Sequence, residues 1–274
     1  MKTKLDDVEF AWDEAGTGPT LVLLHGLPFQ RGMWAPQLSG LSKRFRVIAP
    51  DLRGFGESAT SPGLISMHRF AEDLHALMQH LVTGPVILAG HSMGGFVALA
   101  FASAFPKFIR GLVLVGMKAG VDGPEIAAAR RAEAEKVSRE GSSVLVKAMA
   151  PRMLSASEKD EEMALSVRDL MASSSSQGVI GALLGMAERP DMASMLGKIR
   201  VPTLVIAGSD DTLVPPSDAE ALARSIPGAQ LNLIPKAGHL VGFEQAAAFN
   251  EVMRNWLAWG SNGLPRMATP SLSN

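Results

Sequence analysis

Apolar and polar residues fall into blocks along the chain, and the blocks have two different periods. Strand candidates recur at 20–24, 45–49, 85–89, 111–115, 202–207 and 230–234, most of them short apolar runs, with Arg46 interrupting the second and Gln230 and Asn232 the last. Runs of this length, several of them bounded by Gly, Pro or Asp, predict strands buried on both faces. Between several of them the period becomes helical. Met67 to Met78 carries apolar residues at helical spacing, and Phe96 to Phe105 does the same until Pro106 stops it. Strands alternating with helices need crossover connections. The pattern therefore predicts an α/β fold with a mostly parallel central sheet flanked by helices. A short antiparallel start is expected at about residues 4–14.

The alternation stops between 121 and 197. That stretch reads as helices only, inserted after the sixth strand. Pro124 to Glu140 is charged and alanine-rich with Gly141 as its stop, and Val144 to Leu154 is apolar. Ser157 is the expected N-cap of a further helix, and Val179 to Met186 forms another. Met149, Met153, Met163, Met171, Met186, Met192 and Met195 all fall here. Most of them fit ordinary helix packing, and about two or three are expected to line an adaptable apolar pocket. Residues 1–120 and 198–260 then form the core domain, and 261–274, rich in Gly, Ser and Pro, reads as a disordered tail.

Bulk properties narrow the partners. With 47% hydrophobic and 19% charged residues over 274 positions, the chain suits a cored globular protein. A formal net charge of −1 without a basic stripe argues against nucleic acid. The absence of cysteine rules out disulfides, a thiol nucleophile and thiolate metal ligands. It is compatible with the cytosol, and Met1 to Asp7 lacks the apolar centre of a signal peptide, so a cytoplasmic location is expected. The apolar stretch 85–105 contains Gly90, His91, Ser92, Gly94 and Gly95, which fits a strand–turn–helix and not a membrane span. No clustered ligand spacing points to a metal, and Gly54-Phe55-Gly56 lacks the rest of a dinucleotide fingerprint, so no cofactor is expected.

The chemistry concentrates in one turn. Gly90-His91-Ser92-Met93-Gly94-Gly95 follows the strand Val86-Ile87-Leu88-Ala89. A serine in a Gly-X-Ser-X-Gly turn is held in a strained conformation, presented at a strand's C-terminal end beside a helix N-terminus. Such a nucleophile needs a base, an acid to orient it and donors for an oxyanion. Candidates follow in the required order. Ser209-Asp210-Asp211 comes after the strand ending at Gly208, and Gly238-His239 after the strand ending at Ile234. Upstream, Leu21 to Leu24 runs into His25-Gly26-Leu27-Pro28, where a second oxyanion donor would sit.

On these residues, together with Asp51-Leu52-Arg53-Gly54-Phe55-Gly56-Glu57-Ser58 and Glu244, the chain resembles the α/β-hydrolase superfamily, in particular its serine esterase and lactonase-like members with a helical cap. The resemblance spans roughly residues 5–259. It implies Ser92 as nucleophile, His239 as general base and Asp211 as the acid, with Asp210 as its rival. It implies that the backbone N–H groups of Leu27 and Met93 form the oxyanion hole and that 121–197 is a cap over the nucleophile. Phe29 and Trp34 either line the substrate pocket or pack the core. His25 and His91 are expected to brace turns, His68, His75 and His80 to be structural or solvated, and the 51–58 turn to be structural. Glu244 is expected to support the histidine loop.

The implied activity is hydrolysis of small to medium apolar carboxylic esters through an acyl-enzyme, with a small-molecule ester or lactone as partner and a monomer or homodimer as the assembly. Enol-lactone hydrolysis, carbon–carbon-bond hydrolysis and cofactor-free perhydrolysis use the same triad and remain open, as does a small-molecule receptor. Haloalkane dehalogenase and epoxide hydrolase chemistry needs an aspartate where this chain has Ser92.

Overall fold

Among the described residues, eight strands form one sheet in the order β1-β2-β4-β3-β5-β6-β7-β8. The computed structural model describes residues 1–5, 8–81, 84–118, 120 and 122–263. β1 (Lys2–Leu5) and β2 (Val8–Ala15) make the antiparallel start, and β2 also runs antiparallel to β4 (Arg46–Pro50). The remaining pairings, through β3 (Thr20–Leu24), β5 (Val86–His91), β6 (Ile109–Val115), β7 (Thr203–Gly208) and β8 (Gln230–Ile234), are all parallel. Every residue of β3, β5 and β7 is buried. That is why their sequences are near-continuous apolar runs, with Thr20, His91 and Thr203 at the ends, and not alternating ones.

Alternation still decides which face each residue serves. Val22 and Leu24 pack with Phe70 and Phe101 on one side of the sheet, while Leu21 and Leu23 pack with Trp34 and Phe249 on the other. The first side is covered by α2 (Met67–Leu81) and α3 (Met93–Ala104). The second is covered by α1 (Ala35–Leu41) and by the long C-terminal helix over Ala246–Gly263. That helix runs through Gly263, three residues into the stretch read from composition as a tail; residues 264–274 lie outside the described part.

Five helices fill the expected insertion between β6 and β7: α4 (Pro124–Glu140), α5 (Ser143–Met149), α6 (Glu161–Ala172), α7 (Ser176–Ala187) and α8 (Ala193–Leu196). Two local expectations change. The apolar run after Val144 is helical only to Met149, because Pro151 turns the chain into a 3-10 turn over Ala150–Arg152. The next helix begins at Glu161, with Asp160 and not Ser157 as N-cap; Asp160 Oδ1 accepts the Met163 N–H at 3.1 Å. Glu161 and Glu162 then sit in the first turn, where a helix favours negative charge. After β7 come α9 (Pro216–Ser225), α10 (Val241–Glu244) and α11, the Ala246–Gly263 helix.

The parallel register fixes where function can sit. Leu24 lies level with Gly90, Gly90 with Leu114, Val115 with Ile206, and Gly208 with Ile234. The loops carrying Leu27, Ser92, Asp211 and His239 therefore all leave the same edge of the sheet, at the strands' C-terminal ends. No described helix is long and apolar enough to cross a membrane.

Candidate active site

Ser92 joins β5 to α3 with φ 51 and ψ −114. This left-handed φ costs a residue with a Cβ about 1 kcal/mol or more. Its surroundings enforce it. A Cβ on Gly90 would come within 2.5 Å of the Gly94 carbonyl carbon, and one on Gly94 within 2.6 Å of the Leu24 and His25 oxygens. The Ser92 N–H donates to Val115 O at 2.8 Å, and Ser92 O accepts from Gly95 N at 2.9 Å. The half-buried Ser92 side chain is thus held at the N-terminus of α3, whose first N–H groups have no acceptor within the helix.

His239 and Asp211 meet at 2.8 Å, Nδ1 to Oδ2, and both are buried. A carboxylate only accepts, so Nδ1 carries a proton, and in the neutral imidazole Nε2 keeps its lone pair. The Leu213 and Val214 N–H groups donate to the other oxygen of Asp211 at 2.8 and 2.9 Å. Burial alone would raise the Asp211 pKa. The hydrogen bond and charge of His239, with the two N–H donors, outweigh it and hold the carboxyl below its ordinary value. Asp210 is directed elsewhere: its exposed carboxylate accepts from Ser209 Oγ and Ser155 Oγ, each at 2.7 Å.

The serine turn and the histidine loop are joined by His91. Its Nε2 donates to the main-chain oxygen of His239 at 2.9 Å. Burial, then the neighbouring His239, push the His91 imidazole down to about 3, so it stays neutral. His25 braces its own turn, as expected: Nε2 accepts the Leu52 N–H at 3.0 Å and Nδ1 donates to Gly26 O at 3.0 Å. Burial pushes its pKa down, partly offset by Asp51. His75 stacks on Phe105 at 4.0 Å between ring centres and so has a packing role.

The segment proposed for oxyanion binding passes directly beside the serine. A Cβ on Gly26 would lie 3.2 Å from the Ser92 Cβ and 2.6 Å from His91 Nδ1. Leu27 follows it, and Met93 is the first residue of α3; both side chains are buried. Phe29 is buried in the core with its ring 6.5 Å from that of His91. Trp34 is equally buried but packs on Phe249, ring centres 6.0 Å apart, and closes over Gly242. The 51–58 turn is a buried polar knot: Asp51 accepts from the Arg31 and Glu57 N–H groups at 2.8 Å and pairs with the Arg31 guanidinium.

Glu244 is buried beneath the histidine loop. Its Oε2 accepts from Gly238 N at 2.6 Å and its Oε1 from Ser155 N at 2.9 Å. Burial raises its pKa, partly opposed by those two N–H groups. Ser155 belongs to no motif that marks it in the sequence. The insert reaches the core elsewhere too: Ser174 Oγ donates to Pro28 O at 2.6 Å, and Ser175 Oγ to Gly54 O at 2.9 Å. Among the described residues, no group of three or more acidic, His or Cys side chains is arranged to hold a metal ion.

A mostly parallel sheet, with a strained serine and a buried His–Asp pair on loops at one of its edges, defines a class of fold, and comparison with known proteins agrees on that fold. The alpha/beta hydrolase fold family matches residues 19–246, and the chain belongs to it. A thermophilic esterase from Thermogutta terrifontis superposes with a TM-score of 0.90 at 42% identity, covering 92% of this chain and 94% of that one. The enol-lactonase from Burkholderia xenovorans LB400 gives 0.87 at 28% identity, covering 94% and 100%. The dihydrolipoyllysine-residue acetyltransferase component of an acetoin cleaving system from Pseudomonas putida is 32% identical over 267 residues, 90% of this chain. This chain spans 66% of that relative's length.

Proposed function

We propose that the protein is a serine hydrolase that cleaves carboxylic esters of small to medium apolar substrates through an acyl-enzyme. The observation that carries this reading is the buried 2.8 Å contact between His239 Nδ1 and Asp211 Oδ2, on a loop whose His239 carbonyl is hydrogen-bonded by His91, the residue before the strained Ser92. Ser92 Oγ attacks the ester carbonyl while its proton passes to His239 Nε2. Asp211 keeps the imidazole in the required tautomer and pairs with the imidazolium. The Leu27 and Met93 N–H groups receive the oxyanion, each such donor supporting roughly 3–4 kcal/mol of transition-state stabilisation. As the tetrahedral adduct collapses, the C–O bond breaks and the leaving alcohol takes the proton from His239. Water then attacks the acyl carbon with His239 as base, releasing the carboxylic acid and free Ser92. No cofactor is called on.

In this reading residues 121–197 are a cap over the core of 1–120 and 198–260. Its contacts to Pro28 and Gly54 support that, since both lie on loops at the functional edge. The protein acts in the cytoplasm on small molecules, as a monomer or homodimer.

The test is steady-state turnover of short p-nitrophenyl esters with mass-spectrometric mapping of a fluorophosphonate label. Multiple turnover, labelling at Ser92 and loss of both in Ser92→Ala are expected. Near-full activity in Ser92→Ala would remove Ser92 from its role. A single turnover with a ligand-induced rise in melting temperature would instead indicate a receptor. The likeness to an enol-lactonase at a TM-score of 0.87 favours a second reading, lactone ring opening on the same triad. Faster turnover of enol-lactones than of matched open-chain esters would select it.

A further inference from the structure

Asp211 and His239 arrive on loops from different strands, β7 and β8. Their 2.8 Å contact therefore depends on how those loops are held relative to each other. Links within the core join them: Asp210 N donates to Ala237 O and Ser209 N to Ile234 O, each at 2.9 Å, and Lys236 N donates to Ser209 Oγ at 3.0 Å. Further links come from the insert. Arg152 Nη2 donates to Thr212 O at 3.0 Å, and Met153 O accepts from Leu240 N at 2.8 Å. Ser155 Oγ donates to Asp210 Oδ2 at 2.7 Å, and Ser155 N to Glu244 Oε1 at 2.9 Å. Residues 152, 153 and 155 thus grip positions on both sides of Asp211 and just past His239.

Given the triad proposed above, we infer that Ser155 is a positioning residue for the His239–Asp211 pair. It joins the residue that precedes each member, Asp210 through its hydroxyl and Gly238 through the Glu244 carboxylate. The hydroxyl has a single proton, and Asp210 as a carboxylate can only accept it. Ser155 Oγ in turn accepts from Ser157 N at 3.2 Å and lies 2.8 Å from Ser157 Oγ, which fixes its rotamer. Ser155 is 4% exposed, so its hydroxyl is shielded from water although its partner Asp210 is exposed. Gly238 completes the fit: a Cβ there would come within 2.5 Å of Leu154 C and Ser155 N, so the insert lies directly on the histidine loop. The cap reading makes the insert a cover for substrate. The Ser155 assignment makes it also a structural part of the catalytic pair.

The experiment compares Ser155→Ala, which removes the Asp210 link and keeps the main-chain one, with Asp210→Ala, which removes the same link from the other end. Ser155→Thr retains a hydroxyl. The readouts are the NMR titration midpoint of the His239 imidazole, and kcat and KM on p-nitrophenyl butyrate. Loosening Asp211 from the imidazole removes support for its charged form. The midpoint is expected to move to lower pH in both Ala variants, with kcat down about tenfold and KM within about twofold. Ser155→Thr should restore both. Asp210→Ala also deletes a charge beside the pair, so loss of folding in Ser155→Ala leaves Ser155→Cys, a weaker donor of similar size, to decide. An unmoved His239 midpoint in the folded variants overturns the assignment, whatever kcat does. The midpoint is read without turnover, so it stands apart from the Ser92→Ala result that would sink the triad itself.

Discussion

His91 Nε2 donates to the main-chain oxygen of His239 across 2.9 Å, and the two rings stand 4.7 Å apart. The residue immediately before Ser92 therefore holds the backbone of the residue proposed as its base. Burial keeps this imidazole neutral, and a neutral imidazole with its proton on Nε2 makes one donor bond without adding charge beside the Asp211–His239 pair.

Replacing His91 by Phe removes that donor and leaves the His239 carbonyl buried without it. A stability loss of about 1–3 kcal/mol is expected from urea denaturation, with a fall in kcat and little change in KM. The pH dependence has a definite sign. The His91 pKa is lowered from 6.5 in the unfolded chain to about 3 in the folded one, so the unfolded state binds the proton first on acidification. This contribution to stability is intact above pH 6.5, declines as pH falls and levels off near pH 3. Urea midpoints across that window should fall less steeply in His91→Phe than in the parent, and an equal slope would refute the assignment.

Asp211→Asn keeps the shape of the acid but removes its charge and can reverse the tautomer of His239. A loss of a thousandfold or more in kcat is expected. Asp210→Asn leaves the 2.8 Å contact in place and should cost no more than about tenfold. The Asp211 pKa is lowered on folding, so its ionised form contributes stability above the unfolded value of 3.8. That contribution is lost as pH falls through the lower folded value, and acid denaturation of Asp211→Asn should lack it. If Asp210→Asn were the more damaging change, the acid would be assigned one residue out of place.

These two residues show how much the sequence discloses. Gly90-His91-Ser92-Met93-Gly94 is legible because every position answers a local steric demand. The strand runs at 20–24 and 202–207 are legible because burial on both faces keeps them apolar apart from Thr20 and Thr203 near their starts. Asp211 and His239 follow from chain order and resemblance, but the separation of Asp211 from Asp210 needs the loop register that the Leu213 and Val214 N–H donors set. Ser155 is not legible at all. Its partner Glu244 lies 89 residues away, and no periodicity records such a pairing. The sequence points to Ser157 as the helix start because Ser157 and Asp160 are both good caps, and Ser157 is instead engaged by Ser155.

The seam between insert and core offers another test. Gly178 on α7 lies against Gly54, and a Cβ on Gly178 would fall 2.5 Å from the Gly54 carbonyl carbon. Backbone cannot yield as a side chain can, so Gly178→Ala must separate α7 from the turn after β4. A destabilisation of about 1–3 kcal/mol is expected, with faster proteolytic cleavage in 121–197 than in the core. Unchanged stability and cleavage would mean that the insert is not held at this point.

A buried ion cluster ties the two ends of the insert together. Asp122, just after β6, is reached by Lys118 at 2.8 Å, Arg130 at 2.6 Å and Arg189 at 2.6 Å. Burial would raise the Asp122 pKa, but the hydrogen bonds from Arg189, Arg130 and Lys118 hold its carboxyl far below the usual range. Arg189, beyond α7, is itself buried and lies 4.1 Å above the Phe96 ring, one turn along α3 from Ser92. Asp122→Ala leaves that guanidinium buried without its carboxylate, and removing one partner of a buried pair costs about 3–5 kcal/mol. Asp122→Ala combined with Arg189→Met removes the stranded charge and should recover most of the loss. Urea denaturation of both variants measures the difference, and a double variant no more stable than Asp122→Ala would show that the cluster acts through something other than the Asp122–Arg189 pair.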